Sequence, residues 1–267
     1  MQPEGAEFSP VEPPAEVTPA ETLPAAPAAP APREPFWGYM DLALIIGLLC
    51  ASAAVILVLV GLLVGLNPRL RDDPTPVAIP MQFALYGLVY LCFRLVLGLR
   101  HDRPVFKSLG WRRSSFNLVA AAVGGGVLAL AVSALASLLH TPKVASPVDK
   151  LVNTPLSFAL VGMLAVIAAP LFEELVFRGF LQPLFSRTFG VGAGILVTAV
   201  LFGSLHAPEY SWAWQYVAAI SVAGVAFGWV RERANSIIPS TVMHGCFNAV
   251  SVIALAVTKY TKYKLDT

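Results

Sequence analysis

The stretch LSFALVGMLAVIAAPLFEELVFRGFLQPL, from Leu156 to Leu184, is long and apolar, yet two glutamates and an arginine interrupt it. A membrane-crossing helix needs about 20 predominantly apolar residues. An ionisable side chain at membrane depth costs about 2.5 to 3.5 kcal/mol on insertion scales. Glu173, Glu174 and Arg178 therefore need partners inside the protein, and they mark a candidate functional site.

The whole chain has the composition of a polytopic membrane protein. Of its 267 residues 57% are hydrophobic and 13% are charged, and the mean hydropathy is +0.70. Soluble domains carry about 25% charged residues. The partner that this composition predicts is the lipid bilayer, and the net charge of only +2 predicts no nucleic-acid partner.

Apolar stretches of spanning length recur along the chain, which predicts an all-α transmembrane helix bundle of about seven spans. Prolines and charged residues separate these stretches from one another. The predicted spans are Gly38 to Leu66, Val77 to Leu99, Phe116 to Leu139, Leu156 to Leu184, Gly190 to His206, Trp212 to Val230 and Ile237 to Val257.

The two ends of the chain differ from this bundle. Residues 1–35 hold ten prolines and six glutamates, a composition that cannot bury a core, and they are predicted to be a disordered cytoplasmic tail. Residues 36–258 form the predicted transmembrane bundle. Residues 259–267 are a basic C-terminal tail.

Basic residues predict the orientation, because cytoplasmic loops are rich in Lys and Arg. The link from Arg100 to Arg113 and the turns near Arg187 and Arg231 carry eight basic residues, against four in the opposite loops. The N-terminus is therefore predicted to be cytoplasmic. Seven spans would place the C-terminus outside, where Lys259, Lys262 and Lys264 would violate the rule.

The three charged residues of the fourth span differ in whether their own helix provides an ion-pair partner. Glu174 and Arg178 are four residues apart, so on a helix they face each other. Glu173 is rotated by about 100° from Glu174 and needs a partner from another helix. The candidates lie in two later spans, where FGSLH ends at His206 and HGCFN runs from His244 to Asn248.

Glu173, His206, His244 and Asn248 are predicted to lie at similar depths. Glu173 comes 15 residues before the turn on the basic side, His206 18 residues after it, and His244 and Asn248 10 and 14 residues after the next such turn. At a rise of about 1.5 Å per residue these depths are about 22, 27, 15 and 21 Å.

These residue types can hydrolyse a peptide bond. A carboxylate beside an imidazole can accept a proton from water, and a second imidazole with an amide can donate to an oxyanion. The same side chains could instead hold a divalent metal such as zinc, with Glu173, His206 and His244 as ligands. The spacing leaves both mechanisms open. There is no HExxH motif, and Cys246 is turned away from His244 on its helix.

The motifs EELVFR, FGSLH and HGCFN resemble the EExxxR, FxxxH and HxxxN signatures of the CPBP intramembrane proteases. This family of CAAX proteases and bacteriocin-processing (Abi) proteins includes the type II CAAX prenyl endopeptidase. The resemblance covers 156–257, the predicted catalytic core. It implies a glutamate base, Glu173, assisted by His206, an oxyanion hole of His244 and Asn248, and a supporting role for Glu174 and Arg178.

The resemblance implies an intramembrane endopeptidase that processes CAAX-type or other membrane-associated proteins or peptides. The family is commonly labelled metalloprotease, yet a metal-free glutamate mechanism is also argued for it. The alternative is a non-cleaving membrane scaffold or immunity protein on the same fold. A transporter is disfavoured because matched breaks in two halves are missing. The predicted location is the bacterial plasma (inner) membrane.

Overall fold

The computed structural model describes residues 35–67, 69–144 and 151–266, with side chains up to residue 259. Within these ranges the chain is helical and contains no strand. The predicted tail lies outside the described residues except for its last position, Pro35. The long helices are α1 (Tyr39–Leu66), α2 (Thr75–Arg100), α3 (Leu118–Leu138), α4 (Pro155–Phe189), α5 (Val191–Leu205), α6 (Trp214–Ala234) and α7 (Ile237–Asp266).

Five of these helices are long and apolar enough to cross a membrane: α1 to α4, and α7 over Ile237–Lys259. Each of the seven predicted spans thus corresponds to a helix. Two of these helices, α5 and α6, are too short or too polar to count among the five. Helix α5 has only 15 residues, which is about 22 Å against a hydrocarbon core of about 30 Å. Helix α6 is more polar at its two ends, where it begins with Trp214, Gln215 and Tyr216 and ends near Arg231 and Arg233.

Local sequence explains several helix ends. The Asn117 side chain accepts hydrogen bonds from the first-turn amides of α3, and Thr154 and Ser157 form a capping box at the start of α4. Between α4 and α5 the backbone of Gly190 has φ +86°, a conformation that glycine adopts without the strain of a side chain. The turn from α6 to α7 uses Asn235 in the same way, at φ +47°.

The basic loops gather at one end of the bundle. Arg112 donates to both the backbone and the side-chain oxygen of Asn235, and Arg187 donates to the carbonyl of Pro35. At the opposite end Tyr216 donates to Pro142, and Lys259 of α7 donates to the carbonyl of Val152. Helix α7 continues past the predicted end of its span to Asp266.

Helix α4 is the central element. It packs against α5, α6 and α7, and the Trp37 indole stacks on Phe180 and donates to its carbonyl. Two stretches of α4 are π-helical, Leu164–Ala168 and Leu175–Leu181. Such wide turns occur often at functional sites, and here they lie on either side of the two glutamates.

Candidate active site

The fourth helix carries a fully buried ion pair. Arg178 Nη1 lies 3.2 Å from Glu174 Oε1, the i, i+4 pairing that the sequence predicts, and the two side chains are 1% and 0% exposed. Arg178 also donates to the carbonyl of Gly224 on α6 at 3.0 Å. The rings of Phe202 and Phe227 lie 4.6 and 5.3 Å from its guanidinium carbon. The positive charge is thereby shared between a carboxylate, a carbonyl and two aromatic faces.

His244 of α7 stands between the two glutamates. Its Nδ1 lies 3.2 Å from Glu174 Oε1, and its Nε2 lies 3.6 Å from Glu173 Oε2. The imidazole stacks on the Phe227 ring with a centroid separation of 4.5 Å. The Glu173 side chain stays 26% exposed, whereas those of Glu174 and His244 are 0% and 3% exposed. Glu173 is therefore the most exposed of these three side chains.

Asn248, one turn after His244, contacts a π-helical stretch of α4. Its Nδ2 donates to the carbonyl of Ala165 at 2.8 Å. In a π-helical turn a carbonyl accepts a hydrogen bond from the N–H five residues later instead of four. One carbonyl is therefore left without its usual α-helical partner. The Asn248 amide has a second N–H, because one amide group carries two donors.

His206 lies at the C-terminal end of α5, on the other side of Phe202. Its Nδ1 is 2.8 Å from the Phe202 carbonyl oxygen. Both imidazoles pack edge to face against the Phe202 ring, at centroid distances of 4.7 Å for His206 and 5.6 Å for His244. Sequence reasoning paired Glu173 with His206, but the imidazole within ion-pair distance of Glu173 is that of His244.

The structure adds a residue that sequence reasoning missed. Gln182 is fully buried one turn after Arg178, and its Nε2 donates to the carbonyl of Gly228 at 3.0 Å. Arg231 of α6 donates back to the Arg178 carbonyl at 3.1 Å. The repeat of polar residues at 174, 178 and 182 could have revealed this side chain, since i, i+4 residues share a helix face.

The predicted metal ligands do not form a metal shell. Among the residues that the structure describes, no group of three or more His, Cys, Asp or Glu side chains is arranged to hold a metal ion. Both nitrogens of His244 face carboxylate oxygens, and Nδ1 of His206 faces a carbonyl. The zinc site of Glu173, His206 and His244 therefore stays a prediction from their spacing.

The fold and this cluster define an integral membrane protein with a buried carboxylate–imidazole site. Residues 154–250 match the family model described as type II CAAX prenyl endopeptidase Rce1-like. This part of the chain is therefore similar to that protease family, in agreement with the resemblance of its three motifs. No curated protein and no solved structure was found to match the chain.

Proposed function

We propose that this protein is an intramembrane endopeptidase in which Glu173 activates the attacking water. The observation that carries the proposal is the position of Glu173, which is partly exposed while His244 Nε2 lies 3.6 Å from its carboxylate. Glu174 and Arg178 behind it are sealed from solvent. A reachable carboxylate on a rigid buried support is what a general base requires.

The charges of the cluster support a shared proton. Glu173, Glu174 and Arg178 together carry one net negative charge when all three are ionised. One further proton makes the cluster neutral, and His244 can hold it or pass it to Glu173 across their contact. A neutral cluster is favoured at membrane depth, where an uncompensated charge is expensive.

The reaction follows from these positions. Glu173 takes a proton from water, and the resulting hydroxide attacks the carbonyl carbon of the scissile peptide bond. The oxyanion that forms accepts hydrogen bonds from the second Asn248 N–H and from an Nε2–H of His206, in an oxyanion hole. The His206 bond requires the imidazolium form, because Nδ1–H already donates to the Phe202 carbonyl. The C–N bond then breaks, and the leaving amine takes the proton that Glu173 had accepted.

In this scheme His244 orients Glu173, and His206 is the second oxyanion donor. The two histidines thus exchange the roles that the resemblance implies for them. The exchange rests on the position of His244, whose Nδ1 lies 3.2 Å from Glu174 Oε1 and whose Nε2 faces Glu173 Oε2.

We also propose a membrane, an orientation and a substrate class for this protein. All seven helices, including the short α5 and the more polar α6, cross the bacterial plasma (inner) membrane, and the end that carries the basic loops faces the cytoplasm. The substrate is a membrane-associated protein or peptide, of CAAX type or another type. The family match supports the substrate class, the apolar helices support a membrane location, and the basic residues of the loops support the orientation.

The test is proteolysis by Glu173→Gln, which keeps the size of the side chain and removes the base. The purified protein in detergent is incubated with a peptide library, and cleavage is followed by mass spectrometry. We expect the variant to lose a factor of about 10² to 10⁴ in rate. The matched control is Asp72→Asn, an exposed carboxylate in a short helix between α1 and α2. Cleavage by Glu173→Gln at the wild-type rate would refute the mechanism, and no cleavage by the wild type would favour the scaffold alternative.

Removal of divalent ions tests the metal-free form of the mechanism. Dialysis against a chelator should leave the cleavage rate within about twofold, because the described ligand groups do not form a metal shell. Metal content is measured by mass spectrometry before and after dialysis. Loss of activity that returns on addition of zinc would replace the proposed water activation by a metal-assisted one.

A further inference from the structure

Each π-helical stretch of α4 ends two residues before a proline. Leu164–Ala168 precedes Pro170, and Leu175–Leu181 precedes Pro183. Proline has no backbone N–H, so it cannot donate the hydrogen bond that its position in a helix would otherwise make. Each proline therefore leaves one carbonyl of α4 without a donor from its own helix.

The hydrogen bonds beside the first proline identify that carbonyl. The Ala169 N–H donates to the Leu164 carbonyl, five residues earlier. The same pairing, continued by one residue, would join position 170 to the Ala165 carbonyl, but Pro170 has no N–H to donate. The Asn248 amide of α7 donates to the Ala165 carbonyl instead, at 2.8 Å.

The second proline repeats this arrangement with a donor from α6. The Gln182 N–H donates to the Phe177 carbonyl, again five residues earlier. The next pairing would join position 183 to the Arg178 carbonyl, but Pro183 cannot donate. Arg231 Nε donates to the Arg178 carbonyl instead, at 3.1 Å. At both places a side chain of a neighbouring helix thus supplies the hydrogen bond that the proline cannot.

The Arg178 carbonyl belongs to the residue that holds the buried glutamate. Arg178 Nη1 lies 3.2 Å from Glu174 Oε1, and His244 Nδ1 lies 3.2 Å from the same oxygen. Arg178 Nη2 donates to the Gly224 carbonyl of α6. Arg231 comes seven residues after Gly224, which is two turns later on the same face of α6. The side chain and the backbone of Arg178 are therefore both tied to this one face.

We propose that Arg231 is a positioning residue for the buried carboxylate–imidazole site. Arg178 is 1% exposed, so its carbonyl would lack any donor if the Arg231 side chain were removed. The hydrogen bond holds the wide turn in its pairing and thereby keeps the Arg178 guanidinium against Glu174, which in turn holds His244. This inference rests on the proposed function, because Arg231 acts on the reaction only through these residues.

The test compares Arg231→Leu with the double variant Arg231→Leu/Pro183→Ala. Arg231→Leu removes the donor, so kcat should fall about tenfold, as for the loss of one hydrogen bond from a charged group. KM should stay within about twofold, because uniform substrate binding is untouched. Pro183→Ala restores an N–H that can donate to the Arg178 carbonyl, so the double variant should regain a kcat within about threefold of the wild type. A residue that acted only through its charge would not be rescued by a backbone N–H.

The matched control is Arg233→Leu, which removes a positive charge from the same helix, where the guanidinium lies over the Trp229 ring. This variant should keep the wild-type kcat and KM. Thermal unfolding in detergent is measured for the wild type, Arg231→Leu, Pro183→Ala and the double variant. The loss caused by Arg231→Leu should be smaller when Pro183→Ala is present. If Arg231→Leu does not fold, Arg231→Lys takes its place in the same cycle.

The first proline provides a parallel test that separates packing from catalysis. Pro170→Ala should restore the thermal stability of Asn248→Ala, because the new N–H can donate to the Ala165 carbonyl. It should not restore kcat, because the proposed oxyanion donor is still missing. Recovery of kcat would remove Asn248 from the proposed oxyanion hole.

The outcomes separate this inference from the proposed function. Additive losses, with no recovery in the double variant, would overturn the role of Arg231 and leave the mechanism to the result for Glu173→Gln. A wild-type kcat in Arg231→Leu, together with lower stability, would make Arg231 structural and would also overturn the inference. If Glu173→Gln cleaves like the wild type, the proposed function fails and the positioning role fails with it.

Discussion

Helices α1 and α4 are both long and apolar, yet they differ in burial and in the ionisable residues that they carry. Within the most apolar window of α1 only 6% of the residues are buried, against 22% for α4. Helix α1 has one ionisable residue that is buried, Asp41 in its first turn, whereas α4 holds a glutamate pair and an arginine deep in its length. Apolar content thus suits both helices to the membrane, and the polar groups of α4 tie it to its neighbours.

The polar side chains of α4 position its neighbouring helices because lipid provides no hydrogen-bond partner for them. Each charged or amide side chain of α4 must find a donor or acceptor on a neighbouring helix, which fixes the rotation and spacing of that neighbour. Arg178 and Gln182 accordingly bond to the carbonyls of Gly224 and Gly228 on α6. In α1 the corresponding contact lies in the first turn, where Asp41 pairs with Arg100 and His101.

The largest expected effect comes from breaking the buried ion pair of α4. Arg178→Ala leaves the Glu174 carboxylate uncompensated, and removal of one partner of a buried pair costs about 3 to 5 kcal/mol. We expect the variant to unfold at a markedly lower temperature in detergent, and activity to fall with it. The matched control is Arg71→Ala, whose exposed side chain lies between α1 and α2. If Arg178→Ala unfolded at the wild-type temperature, the buried ion pair would not be what distinguishes α4 from α1.

The next effect tests the oxyanion role of Asn248. Asn248→Ala removes both amide donors, and loss of one oxyanion-hole donor typically costs a factor of about 10² to 10³ in kcat. Because Asn248 also donates to Ala165, thermal stability is measured alongside. Asn248→Asp keeps the size of the side chain and replaces the donors by acceptors. If this variant is as active as the wild type, Asn248 does not stabilise an oxyanion.

A smaller effect compares two glycines in the two regions. A Cβ at Gly245 of α7 would lie 2.7 Å from the carbonyl oxygen of Val166 on α4, whereas a Cβ at Gly61 of α1 meets nothing within 4 Å. Gly245→Ala should therefore cost about 1 to 3 kcal/mol, as overpacking does. Gly61→Ala should change stability by less than about 1 kcal/mol. Thermal unfolding of the two variants side by side measures the difference, and equal behaviour would contradict the close packing of α7 on α4.

Sequence reasoning reached the features that depend on local spacing. It predicted the helical class, each long helix, and the contact of Glu174 with Arg178, because four residues make about one helical turn. Of its seven predicted spans, five correspond to helices that are long and apolar enough to cross a membrane, whereas α5 has 15 residues and α6 has polar ends. Counting apolar residues does not show where a helix begins and ends when its flanks form other turns, as Ala207–Tyr210 does after α5.

Sequence reasoning could not identify the histidine that contacts Glu173. His206 and His244 have the same chemistry and similar predicted depths, so spacing along the chain could not choose between them. The choice depends on how α7 is rotated and how closely it approaches α4, where Gly245 admits the Val166 carbonyl. That approach places the His244 imidazole between the two glutamates.

The sequence by itself determined that this chain is a helical membrane protein with charges at the depth of its fourth span, because hydropathy and the i, i+4 rule are local. Only the tertiary structure decided that Glu174 is fully buried and Glu173 is partly exposed, although the two residues are adjacent. The physical reason is that a 100° step around one helix separates a face that its neighbours cover completely from a face that they cover only in part. Which face is covered depends on the contacts of three helices that are distant in sequence.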